Sequence, residues 1–281
     1  MDKTFTLKDG TVMNYWDEGE GQPLILVHGW AGNNQAFVDC YSEAVVKAGY
    51  RFIAPNMRGS LKTSESKTRP VVMKMLFDDL HELIEGLGLE DVVLGGHSMG
   101  ANDMFGYIRH YGSEHVRKFI LMDVTPLNNN SAEGWTLGTN NNTYSKEDGY
   151  RDLQAMEKDT VQYFADWMYN AAGLAGQPDG EKIARNMGEA IVAGFRRDEV
   201  VELYKDGLDW DAREEVSKFD VPVLYIYADR GVLVPPKFAD YFLEHSTNEM
   251  TLLGVPSADH AFPTDPKYVP LITAVILEYM K

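Results

Sequence analysis

The chain has a single cysteine, Cys40, in 281 residues. One thiol closes no intrachain disulfide and builds no thiolate zinc or iron–sulfur site. Cys40 has Val38, Ala44 and Val45 for neighbours in a stretch of helical pattern, so it reads as a packing residue. Long apolar runs are missing too: no stretch nears the ~18 consecutive apolar residues of a membrane-spanning helix. The opening Met1-Asp2-Lys3-Thr4-Phe5-Thr6 has neither the basic cluster nor the apolar core of a secretory signal. The expectation is a soluble cytoplasmic protein. Positive charge is scarce, with 26 Lys and Arg against 43 Asp and Glu and a formal net charge of -17. Such a surface repels phosphate backbones and anionic lipid heads, so neither nucleic acid nor membrane is an expected partner. A small-molecule substrate is.

What is present is ordinary for a globular protein: 44% hydrophobic and 25% charged residues. The length suits one large domain, or a core carrying an insertion. Alternation around the Asp9-Gly10 turn predicts a hairpin from Thr4–Leu7 and Thr11–Trp16. Pro23–Val27 is apolar throughout, as a strand buried on both faces of a parallel sheet must be. Strands at Arg51–Ala54, Asp91–Gly95, Lys118–Met122, Val221–Tyr227 and Met250–Leu253 then alternate with helical stretches near 34–48, 71–86, 99–111, 236–245 and 267–280. That alternation predicts an α/β fold, a doubly wound and mostly parallel sheet with the hairpin as its antiparallel edge.

Residues 127–220 break the rhythm. Two asparagine runs, Asn128-Asn129-Asn130 and Asn140-Asn141-Asn142, precede helical stretches near Lys146–Ala172 and Glu181–Tyr204, with no buried strand among them. The reading is a helical cap inserted after the sixth strand, over a core formed by 1–126 and 221–281. Trp135, Phe164, Trp167, Phe195 and Trp210 are expected chiefly to form the cap's own small core.

The chemistry is concentrated in short motifs. Gly96-His97-Ser98-Met99-Gly100 has the G-x-S-x-G form of a strand-to-helix turn that thrusts a nucleophilic serine above the sheet. An apolar strand precedes it and a helical stretch follows, as that turn requires. His28-Gly29-Trp30 follows the first buried strand, and its glycine lets the Trp30 amide point at the same place. Together with the Met99 amide it would make a two-donor oxyanion hole. His28 itself is expected to be structural. Of the seven histidines only His260, in Pro256-Ser257-Ala258-Asp259-His260 after the last strand, stands where a base is needed. Asp259 reads as a loop residue, and His81, His110, His115 and His245 as surface groups on or beside helices.

These motifs resemble the α/β-hydrolase family over nearly the whole length outside the cap. Asn56-Met57-Arg58-Gly59-Ser60 resembles that family's D-x-R-G-x-G loop, with asparagine in place of aspartate. The pairing of His28-Gly29-Trp30 with Gly96-His97-Ser98-Met99-Gly100 is also similar to the cofactor-free haloperoxidase and perhydrolase group. The resemblance implies a Ser–acid–His order along the chain and no metal or organic cofactor.

The acid departs from the family pattern. In Ala228-Asp229-Arg230-Gly231-Val232-Leu233-Val234-Pro235, counting back from the proline puts Gly231 where most members carry aspartate. Asp123, in Leu121-Met122-Asp123-Val124-Thr125-Pro126 after the sixth strand, is the first choice, and Asp229 the alternative. The expected activity is hydrolysis of a small carboxylic ester, lactone or amide through an acyl-enzyme on Ser98. Two other readings stay open at this point. One is a perhydrolase or lyase using the same residues. The other is a ligand-binding protein that kept the fold and lost turnover.

Overall fold

The computed structural model describes residues 1–171 and 174–281. An eight-stranded sheet runs through it. Strands β1 (Asp2–Thr6) and β2 (Val12–Glu18) form the hairpin, and β3 (Pro23–Val27), β4 (Arg51–Pro55), β5 (Val92–His97), β6 (Val116–Met122), β7 (Val223–Ala228) and β8 (Met250–Val255) follow. Their order is β1-β2-β4-β3-β5-β6-β7-β8. Pairing is antiparallel from β1 to β2 and β2 to β4, and parallel everywhere else. The predicted antiparallel edge is therefore present, and the serine strand β5 lies directly beside β6.

The period of two along each strand decides which face every side chain covers. Ile25, Val27, Leu94, Phe119, Leu121 and Tyr225 point to one side. There they meet Leu76, Phe77 and Leu80 of α2 (Met73–Gly86), Met104 and Phe105 of α3 (Met99–Tyr111), and Phe238 and Phe242 of α9 (Phe238–His245). Leu24, Leu26, Val93, Ile120, Leu224 and Ile226 point to the other side, against α1 (Gln35–Lys47) and α10 (Val269–Met280). Each such side chain contributes about 1.5–3 kcal/mol by leaving water. Cys40 packs partly buried in that second cluster, as its neighbours suggested.

Between β6 and β7 come α4 (Thr139–Asn142), α5 (Lys146–Lys158), α6 (Thr160–Ala171), α7 (Gly180–Val192), α8 (Arg197–Gly207) and a 3-10 turn at Arg213–Ser217. Among the described residues this stretch adds no strand to the sheet. The helix expected over 146–172 is two helices, because Asp159 is extended (φ -153°). Its predicted last residue, Ala172, lies outside the described residues. The helix expected over 181–204 also breaks in two. Gly194 to Arg196 pair with the loop after β4: Leu61 donates to the Gly194 carbonyl, Arg196 donates to the Gly59 carbonyl, and Ser60 bridges Phe195. Here a tertiary backbone contact overrides local helix propensity.

Beyond that break α8 is fastened to the core by three carboxylates. Buried Glu199 accepts the amides of Gly59 and Ser66, Glu202 accepts that of Val71, and Asp206 accepts that of Met73. The spacing of three and four places all three on one helical face. The aromatics of 127–220 distribute differently from expectation. Trp135 and Trp210 join the large core beneath the sheet, Trp167 is half exposed, and only Phe164 and Phe195 form a separate small cluster with Val200. Among the described residues no helix is long and apolar enough to cross a membrane.

Candidate active site

Ser98 occupies the turn between β5 and α3 with φ 56° and ψ -121°, a conformation that costs a non-glycine residue about 1–3 kcal/mol. Its amide donates to the Met122 carbonyl at the end of β6. The two flanking glycines are there for space. A Cβ on Gly96 would come within 2.2 Å of the Gly100 carbonyl, and one on Gly100 within 2.4 Å of the Val27 carbonyl. The Ser98 hydroxyl has no hydrogen-bond partner among the described residues.

Asp123, the first choice for the acid, stands at the end of β6. Asp123 follows the last residue of β6, has φ 49° and is wholly buried. Its Oδ1 accepts the Ala228 amide (3.0 Å), and its Oδ2 lies 2.6 Å from Nδ1 of His260. That bond fixes the proton on Nδ1 and leaves Nε2 with its lone pair. The His260 loop after β8 is held at several points. Asp259 accepts the Ala261 amide, as a loop residue would, and Tyr268 donates to the Ser257 carbonyl. The His97 ring lies against the His260 ring, with centroids 4.5 Å apart. The residue before Ser98 thus touches the imidazole bonded to Asp123.

The alternative acid, Asp229, is elsewhere. Its Oδ1 accepts the Ser257 amide (2.6 Å), so it braces the loop and does not meet the imidazole. Gly231 has a steric reason for lacking a side chain: a Cβ there would stand 2.1 Å from the Val234 carbonyl oxygen. The turn after β7 is folded too tightly for a side chain at 231.

Neither the Trp30 nor the Met99 amide donates to an acceptor among the described residues. Met99 is the first residue of α3, whose 13 residues add the positive end of a helix dipole. Gly29 lets the two loops approach, since a Cβ there would lie 3.2 Å from Ser98 Cβ. His28 proves structural. Its Nδ1–H donates to the Gly29 carbonyl (2.8 Å), its Nε2 accepts the Met57 amide (3.0 Å), and burial holds its pKa down to about 4. Asn56, where the family motif has aspartate, both accepts and donates. It accepts the Asn34 amide and gives its own Nδ2–H to Asn14, a bond an ionised aspartate cannot make. Arg58 of the same loop is buried against Asp79, with two bonds of 2.7 and 2.8 Å.

The Trp30 side chain points into the helices of 127–220. Its indole Nε1–H donates to the Val200 carbonyl, and its ring packs on Phe164 (5.4 Å) and Tyr204 (5.2 Å). The Trp30 side chain is thus seated against aromatic side chains of these helices. A separate open groove of about 850 Å³ runs between α5 and α6, lined by Tyr144, Asp152, Tyr163 and Trp167 among others. Ser98, His260 and Asp123 do not line it, so its size says nothing about the chemistry. Two features of the site escape sequence reading. The carboxylates of α8 act on residues more than 130 positions away, and the contact of His97 with the His260 loop spans 163. Only the place of His97 inside the serine motif offered a hint.

The family described as alpha/beta hydrolase fold matches residues 22–265. Over 246 residues the chain is 29% identical to a non-heme chloroperoxidase of Kitasatospora aureofaciens, covering 82% of each. Among solved structures it resembles in fold an esterase from Exiguobacterium antarcticum, with TM-score 0.83, 21% identity, and 100% and 99% of the two chains covered. It likewise resembles a bromoperoxidase from Bacillus anthracis, with TM-score 0.81, 22% identity, and 100% and 99% covered.

Proposed function

The chain belongs to the α/β-hydrolase fold family and is a hydrolase, and from that premise we propose that it cleaves small carboxylic esters through an acyl-enzyme on Ser98. The observation that supports this most is the 2.6 Å bond between Asp123 and His260, formed at the end of the strand beside the serine turn. In the proposed cycle Ser98 Oγ attacks the ester carbonyl carbon while Nε2 of His260 takes its proton. The oxygen that gains negative charge accepts the amides of Trp30 and Met99. Each such donor is worth about 10²–10³ in rate. The tetrahedral adduct collapses, the alkoxide leaves with the proton from His260, and the acyl group stays on Ser98. Water then attacks with His260 as base, and the carboxylic acid departs.

Trp30, Phe164 and Tyr204 favour an apolar or aromatic group on the substrate, with the helices of 127–220 acting as a cap. A second reading rests on the likeness to a chloroperoxidase and a bromoperoxidase. In it hydrogen peroxide replaces water in the last step, and the acyl-enzyme yields a peracid in place of the acid. Product analysis on one ester, with and without peroxide, tests both. Burst release of the alcohol followed by steady formation of acid supports hydrolysis. Peracid in preference to acid supports the second reading. Absence of any turnover across a panel of short-chain esters would contradict both.

A further inference from the structure

We propose that His97 is a positioning residue for the base, tying the His260 loop to the serine turn. The inference rests on the reading of Ser98 and His260 just given. Two contacts carry it. His97 Nε2–H donates to the His260 main-chain carbonyl at 2.9 Å. Its ring lies on the His260 ring at 4.5 Å, with a 40° angle between the planes. Gly29 leaves room beside this ring, since a Cβ built there would stand 3.7 Å from His97 Nδ1. One side chain therefore touches the base loop twice while its backbone directly precedes the nucleophile.

The Asp123 bond orients the His260 ring about one axis only. The ring also swings with its backbone, and the loop from Pro256 to Ala261 lies outside any helix or strand. A donor fixed to the serine turn and bonded to the His260 carbonyl removes that freedom. It ties base and nucleophile to one frame, so that a shift of one carries the other. Bonding of Nε2–H to a carbonyl also sets the tautomer, since a carbonyl only accepts. Burial and the neighbouring His260 both push the His97 pKa well below the ordinary histidine value. A neutral ring there places no positive charge beside the imidazolium that forms on His260 during attack. The role predicts loss in kcat and little change in KM, because His97 holds the base and not the substrate.

The test compares His97→Phe, which keeps a ring and loses the donor, with His97→Gln, which keeps a donor near the same place. Kinetics on a short-chain ester are expected to show kcat lowered about 10–100-fold in His97→Phe, the scale of a displacement of about 1 Å. KM should stay within about threefold, and His97→Gln should recover most of the loss. A second readout needs no turnover: the downfield proton resonance of the His260–Asp123 bond should broaden or vanish in His97→Phe and persist in His97→Gln. Wild-type kcat together with an unchanged resonance in His97→Phe would overturn the proposal. So would equal losses in the two variants. If His97→Phe does not fold, nitrogen-resolved imidazole spectra of the wild type decide. A neutral Nε2–H form of His97 that does not titrate between about pH 5 and 8 supports the role, and a Nδ1–H form overturns it. Failure of the ester-hydrolase reading looks different, because the wild type itself would then turn over no ester while the spectra still report the contact.

Discussion

Replacing Asp123 with asparagine is expected to lower kcat/KM for a carboxylic ester by about 10⁴, while Asp229→Asn costs less than about tenfold. The first figure corresponds to about 5.5 kcal/mol of transition-state stabilisation. Asparagine at 123 has almost the shape of aspartate and can keep the Ala228 amide bond through Oδ1. What it cannot keep is the acceptor on the other side. An amide nitrogen facing His260 Nδ1 drives the imidazole proton to Nε2, where the serine proton must go. At 229 the carboxylate accepts a backbone amide from Ser257, which an asparagine oxygen accepts as well. Steady-state kinetics of the two variants, with thermal unfolding to verify folding, separate the two acids. Equal losses, or a larger one at Asp229, would reverse the assignment.

Removing the base itself should cost more. For His260→Ala the expected fall in kcat is about 10⁵–10⁶, with KM little changed, because the nucleophile loses its proton acceptor while the packing of Trp30 on Phe164 and Tyr204 stays in place. The His260 ring is about one-fifth exposed and bonds Asp123 and contacts His97, so its loss leaves the buried Oδ2 of Asp123 without its partner. A lower unfolding temperature is expected alongside the loss of activity. The combination with Asp123→Asn is diagnostic. Groups that act as one unit are not additive, so the double variant should be about as slow as His260→Ala alone. Losses that multiply would mean that Asp123 acts on something other than His260.

Much of this could be read from the sequence because the signals are local. A continuous apolar strand followed by glycine, serine, glycine and a helical stretch determines the turn at Ser98 within a few residues. The buried strands announced themselves in the same way, and the serine strand's neighbour followed from topology. The acid needed more. Asp123 and Asp229 both stand at the ends of strands; the expected place of the sixth strand beside the serine strand favoured Asp123, but no local pattern shows which carboxylate faces residue 260. The deciding facts are three-dimensional: the left-handed turn at Asp123, the Ser257 amide that occupies Asp229, and the Val234 carbonyl that leaves no room at Gly231. The long helices expected over 146–172 and 181–204 failed for a similar reason. Helical pattern continued through Asp159 and Gly194, but contacts with the loop after β4 broke the second of them. Trp135 and Trp210 were assigned to the cap by position in the chain, whereas packing draws them into the large core. His97, Glu199, Glu202 and Asp206 act across distances in sequence that no periodicity encodes.

Activation of Ser98 by His260 and Asp123 is the central claim, and intact-mass measurement after exposure to a small fluorophosphonate tests it most directly. It requires no knowledge of the natural substrate. The account predicts one adduct per wild-type chain and none on Ser98→Ala, with slow labelling of Asp123→Asn. A folded wild-type protein that gains no adduct, or a Ser98→Ala protein that gains the same one, would contradict it.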